Sequence, residues 1–159
     1  EKTITQQTFR RDTTSLQWLL KFTWVISAPV KDEMARKYHF TSIEKHFETV
    51  GIKIINDKDL LTSFIIITNR NGHMRLPYCF HNGDLEGIKK TLQYLIVLFR
   101  IHTFTLYNPE LILYLKENTL INSISKPVGR SFLMSTGMAN EIKITHPVIQ
   151  DGDGDCAFT

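Results

Sequence analysis

Between Ile52 and His102 the apolar residues change their repeat, and this change restricts the chain to folds that mix a sheet with helices. The segments Ile52-Lys-Ile-Ile55, Ser63-Phe-Ile-Ile-Ile-Thr68 and His73-Met-Arg-Leu-Pro-Tyr-Cys-Phe80 are β-branched or aromatic runs. They are separated by the turn formers Asn56-Asp57 and Asn69-Arg-Asn-Gly72, so two or three strands are expected, the last pair as a hairpin. Pro77 places the third strand at an edge or a bulge, because it has no N–H to give a ladder. After the turn His81-Asn-Gly-Asp84 the spacing switches: Leu85, Ile88, Leu92, Leu95 and Phe99 recur at three- and four-residue steps over 85–102. That is the period of a helix with one buried face, and Asp84 is placed to cap it.

The flanks extend this pattern. Asp12-Thr-Thr-Ser offers N-cap chemistry for an apolar segment with Leu16, Leu19, Leu20 and Trp24, ended by Pro29. A second helix is expected over 31–50, with Met34, Tyr38, Ile43 and Phe47 on one side and Gly51 as its stop. Phe104-Thr-Leu-Tyr107 reads as a short strand, and Asn108-Pro109 as the cap and first position of a helix reaching about Asn118. The periodicity is lost over 119–138, which reads as loop, and 141–147 alternates like a strand leading into an Asp-rich tail. The expected class is α+β: a small mixed sheet packed with several helices.

A length of 159 residues suits one domain with a core of its own. The net charge of +3 is small, and Arg10-Arg11 and Lys89-Lys90 are pairs rather than patches, so nucleic-acid binding gains no support. No apolar stretch approaches the roughly 20 residues of a membrane span, and the polar N-terminus lacks a signal-peptide shape. Without an initiator Met the chain reads as a piece of something longer. Two distant cysteines, Cys79 and Cys156, suit a reducing compartment, and no spacing of Cys and His suggests zinc.

The strongest chemical signal is Asp151-Gly-Asp-Gly-Asp-Cys156-Ala-Phe-Thr159. A catalytic cysteine acts as a thiolate, favoured at a helix N-terminus beside a histidine. The loop before it must be tight enough to turn backbone N–H groups toward an oxyanion, which accounts for glycines there. The run Asp153-Gly154-Asp155-Cys156-Ala157-Phe158 resembles the Asp-Gly-x-Cys-x-Phe signature of the ovarian-tumour (OTU) deubiquitinases, matching at Asp153, Gly154, Cys156 and Phe158. The resemblance covers only the end of the chain. It implies a papain-like cysteine peptidase in which Cys156 attacks the carbonyl at the C-terminal glycine of ubiquitin. Asp153 to Cys156 would form the oxyanion hole, and no cofactor or metal is needed. The implied partner is ubiquitin or a polyubiquitin chain. The implied setting is an intracellular reducing compartment, or a host cytosol entered by a secreted bacterial effector.

In that family the helix and the catalytic histidine follow the cysteine, whereas three residues follow Cys156 here. The fold is then incomplete or permuted, with 1–140 as an accessory or ubiquitin-binding body and 141–159 as the strand and nucleophile loop. An upstream base is offered by Gly72-His73-Met74, which resembles the His strand of the ubiquitin-like-protease clan. Gln150 and Cys156 reproduce that clan's six-residue spacing. That clan has Gly where Ala157 stands and an aromatic residue where Met74 stands. Asp84 and Asn82 are the nearest acidic or amide partners for His73 in sequence.

Two other readings of the tail stay open. Asp151, Asp153 and Asp155 alternate like the first ligands of a calcium loop, although Cys156 stands where that loop needs Gly. An Asp/Gly-rich chain end is also commonly a mobile tail. Cys79, between Tyr78 and Phe80, reads as a buried structural thiol. Two functions remain in contention: a cysteine deubiquitinase, and a non-catalytic module standing before an OTU-type catalytic domain.

Overall fold

The computed structural model describes residues 12–21, 25–29, 42–121, 124–129, 131, 133–145 and 149–153. The chain opens with helix α1 (Thr13–Lys21), which begins where the sequence expects: Asp12 Oδ1 accepts from the Ser15 backbone N–H at 2.9 Å and from its hydroxyl at 2.8 Å. Of the expected continuation toward Pro29, residues 22–24, with Trp24, lie outside the described residues, and the part that is described is not helical. Strand β1 (Val25–Ser27) follows instead and pairs in parallel with β2 (Ser42–Glu44) to make a two-stranded sheet.

The main sheet has the order β3-β4-β5-β6, built from β3 (Phe47–Ile55), β4 (Leu61–Arg70), β5 (His73–His81) and β6 (Thr103–Thr105). The first three strands are antiparallel and β6 is parallel to β5. The helix expected over 31–50 is corrected where it is described, since Ser42–Glu44 and Phe47–Val50 are strand. Ile43 and Phe47 stand four apart, which mimics a helical step, but Val50, Ile52 and Ile54 alternate toward the core, and pairing with β4 decides the state. Gly51 is not a helix stop. It lies within β3 under the Phe64 ring, 3.4 Å from where a Cβ would sit.

Turn chemistry sets the registers. Asn56 Oδ1 accepts from the N–H groups of Lys58 and Leu60 between β3 and β4. The expected hairpin joins β4 to β5 through Asn71 and Gly72, both at positive φ (52° and 83°), the conformation of a tight two-residue hairpin turn. Ile66 pairs with Tyr78 and Thr68 with Arg75, so Leu76 and Pro77 together oppose Ile67. Pro77 therefore sits at a bulge, and also where β5 has an open outer edge, because β6 pairs only with residues 73–75.

Helix α2 (Leu85–Leu98) is the helix the periodicity predicts, capped by Asp84 on the Gly87 N–H at 2.9 Å. It ends before His102, with Arg100 at φ 52°. Helix α3 (Pro109–Glu117) starts as expected, with Asn108 Oδ1 accepting from the Leu111 N–H. Both helices cover one sheet face, where Ile65, Ile67, Met74, Ile88, Leu92 and Leu111 are fully buried. Such side chains contribute ~1.5–3 kcal/mol each, so this face is the main core. On the opposite face Ile66 and Tyr78 form a smaller cluster with Phe64, Phe80 and, from α1, Leu16 and Leu20.

Residues 141–145 correct the sequence reading. They belong to helix α4 (Thr136–Thr145), not to a strand. Ser135 opens it, its hydroxyl accepting from the Met138 N–H and its carbonyl from the Ala139 N–H. A capped start followed by Met138-Ala139 outweighs the short alternation of Ile142 and Ile144. No described helix is long and apolar enough to cross a membrane. The architecture is mixed α+β with two small sheets.

Candidate active site

The approach to Cys156 is built against β5. Residues Asp151–Asp153 form a single 3-10 turn. Asp153 closes that turn twice, its Oδ2 accepting from the Gln150 N–H at 2.9 Å and its own N–H donating to the Gln150 carbonyl. The mobile-tail reading is therefore corrected for 150–153.

Three residues of β5 receive the turn. Asp151, only 3% exposed, faces Arg75, whose Nη2 lies 3.1 and 3.2 Å from its two carboxylate oxygens. The Tyr78 hydroxyl donates to the Gly152 carbonyl at 2.5 Å. The Cys79 N–H donates to Gln150 Oε1 at 2.7 Å. This last bond meets a need of the backbone. β6 pairs only with residues 73–75, so the outer edge of β5 beyond the bulge needs another acceptor, and Gln150 supplies it. Gly152 is required by close approach: a Cβ there would stand 2.3 Å from the Tyr78 ring.

His73 opens β5 as the sequence suggests. Its Nε2 is hydrogen-bonded to Thr105 Oγ1 at 2.8 Å. Burial first, then the charges of Arg75, His102 and Arg70, hold its pKa below the usual 6.5, so the ring is neutral at neutral pH. The expected partners Asp84 and Asn82 are corrected: both follow the far end of β5, and Asp84 is engaged by the Thr62 hydroxyl and the Gly87 N–H. Thr105 stands at His73 instead. His73 and Arg75 occupy successive positions on one face of β5, ~7 Å apart along the strand. The structure thus brings His73 beside the residue that holds the Asp151 turn.

Cys156, with Gly154 and Asp155, lies outside the described residues. The other thiol, Cys79, is buried, and burial followed by the charge of Glu110 pushes its pKa up to about 12. A thiol so rarely ionised is no nucleophile, in agreement with the structural role expected. Near it, His81 lies 3.5 Å from Glu110 while its Nδ1 accepts from the Gly83 N–H, so both ring nitrogens are engaged.

The calcium reading does not fit the part that is described. Asp151 is engaged by Arg75 and Asp153 by the Gln150 N–H, and no described group of three or more His, Cys, Asp or Glu residues could hold a metal ion.

Arg75 and Tyr78 are the residues the sequence reading missed. Strict alternation along β5 puts them on opposite faces; the bulge at Leu76–Pro77 brings them onto one. Pro77 was the available signal. No protein-family model, curated protein or solved structure matches the chain.

Proposed function

We propose that this chain carries the nucleophile loop of a cysteine peptidase of the deubiquitinase type, with Cys156 as nucleophile and His73 as general base. One observation supports it most: the turn leading to Cys156 is fixed on the same face of β5 that presents a neutral His73 beside Arg75. Five residues of extended chain span at most ~18 Å, which limits how far Cys156 can stand from the anchor at Asp151.

In this reading neutral His73 takes the proton of the Cys156 thiol as sulfur attacks the carbonyl at the ubiquitin C-terminal glycine. The backbone from Asp153 to Cys156 stabilises the oxyanion. Collapse of the tetrahedral adduct expels the lysine amine, which receives the proton from His73, and leaves a thioester. Water then attacks, giving up a proton to His73, and the glycine carboxylate leaves as the thiol is restored. The fold type would be papain-like in a permuted order. A reducing cytosol, including that of a host reached by a secreted effector, suits a free thiol nucleophile.

The test is covalent labelling with a ubiquitin probe bearing a C-terminal thiol-reactive warhead. The expected result is an adduct with the wild-type chain, none with Cys156→Ala, and slowed labelling with His73→Ala. A folded sample that forms no adduct would favour the second reading, a non-catalytic substrate-binding or accessory module preceding an OTU-type domain.

A further inference from the structure

We infer that Asn82, in the turn between β5 and α2, is a modification site: its side-chain amide is converted to an acid with His81 as the base, while the same dipeptide at Asn71 is protected. Water is the one co-reactant. The Gly83 nitrogen attacks Asn82 Cγ and closes a five-membered succinimide. Its proton passes to His81 and then to the side-chain nitrogen, which leaves as ammonia. Water opens the ring at either carbonyl, giving aspartate or isoaspartate, in which the main chain runs through the former side chain.

Asparagine is thermolabile, and the chain pairs it with glycine twice, at Asn71-Gly72 and Asn82-Gly83. Both glycines lie at positive φ, 83° and 100°. The surroundings differ. At Asn71 the groups that must move are tied down: Oδ1 accepts from the His46 N–H at 2.9 Å and Nδ2 donates to Glu44 at 2.7 Å. The Gly72 N–H donates to Asn69 Oδ1 at 3.0 Å, a neutral amide oxygen and no base. His102 crowds this turn, 2.5 Å from where a Gly72 Cβ would stand.

At Asn82 each of these restraints is missing. The residue is exposed. Its backbone N–H donates to the Thr62 carbonyl at 3.2 Å, and no described residue hydrogen-bonds its side chain. A Cβ at Gly83 would meet nothing within 4 Å, so the amide is free to swing over the Gly83 nitrogen. The Gly83 N–H donates to His81 Nδ1 at 3.2 Å. A backbone N–H only donates, so Nδ1 is the unprotonated ring nitrogen, aimed at the proton that ring closure removes. Glu110 Oε2, 3.5 Å from Nε2, favours that tautomer. A base within hydrogen-bond reach of the proton it takes is the geometry of general-base catalysis. Isoaspartate at this position would lengthen the main chain between the Thr62 bond and the Leu85 N–H bond to Gly83, just ahead of the Asp84 cap of α2.

The test incubates the whole chain at neutral pH, folded and in urea, and follows the amide-to-acid mass change in peptides holding Asn71 and Asn82. In the folded chain Asn82 should convert about tenfold faster than Asn71 or more, and in urea the two rates should converge. His81→Gln should slow Asn82 by about tenfold or more with Asn71 unchanged, its fold checked by amide exchange over 61–67. Glu110→Gln, a change at an exposed residue, should slow Asn82 by less. Equal rates at the two sites in the folded wild type would overturn the proposal whether or not a variant folds. A preference for Asn82 that persists in urea would overturn the part given to the fold. Wild-type rates at Asn82 in the folded variants would overturn the role of His81.

Discussion

One face of the four-stranded sheet carries Ile65, Ile67 and Met74 at full burial under α2 and α3, whereas on the other, among the described residues, Ile66 and Tyr78 form a smaller buried cluster beneath α1. The first face is held mainly by apolar area, with polar contacts at its margin such as Thr62 to the α2 cap Asp84. The second adds directed contacts, the Arg75–Asp151 ion pair and the Tyr78–Gly152 hydrogen bond. Apolar packing is nondirectional and tolerates repacking, so it suits a scaffold. Ion pairs and hydrogen bonds contribute less net energy but fix geometry, so they suit the side of the sheet on which the Asp151–Asp153 turn is seated. Stability and positioning are thus divided between opposite sides of the same strands.

Mutations at the two faces should separate these roles. Leu92→Ala, which opens a cavity under α2, should cost ~2–5 kcal/mol and lower the midpoint of urea unfolding for the whole sheet. Gly152→Ala should cost less, ~1–3 kcal/mol, because the methyl group is driven into the Tyr78 ring. Its effect should be local, with faster amide exchange over 149–153 and little change over 61–67. Equal, global destabilisation by both substitutions would show that the faces are not energetically distinct.

The smallest effect concerns pH. His73 is held below its usual 6.5, first by burial and then by Arg75, His102 and Arg70. As pH falls through 6.5 the unfolded chain takes up a proton that the folded chain resists. The stability linked to His73 is therefore full above that value and declines as pH falls toward the depressed folded value. His73→Gln should flatten this decline in urea titrations between about pH 7 and about pH 5. An unchanged slope would mean that the ring is not withdrawn from water as its Thr105 contact suggests.

Local chemistry explains which elements could be read from the sequence. Helix α2 is legible because its period and the Asp84 cap lie within one continuous stretch, and the β4–β5 hairpin because Asn71-Gly72 encodes its own turn. Strand β3 was misread because its state depends on β4 and its Gly51 is explained only by the Phe64 ring. Helix α4 was misread because two alternating isoleucines suggested a strand while Ser135, several residues earlier, starts a helix. In the candidate site, Cys156, Asp153 and His73 stand out as residue types in a local pattern, and the structure adds Thr105 beside His73 in place of Asp84 or Asn82.

The sequence by itself determined what is written in short range: turns, caps, the amphipathic period of α2 and the Asp-Gly-Asp-Cys run at the end. Only the tertiary structure decided that this run begins on β5, because Arg75 and Asp151 are 76 residues apart. Their meeting requires the hairpin, the bulge at Pro77 and the parallel pairing of β6 to be in place together. No local pattern encodes a contact whose partners come together only after the chain between them has folded.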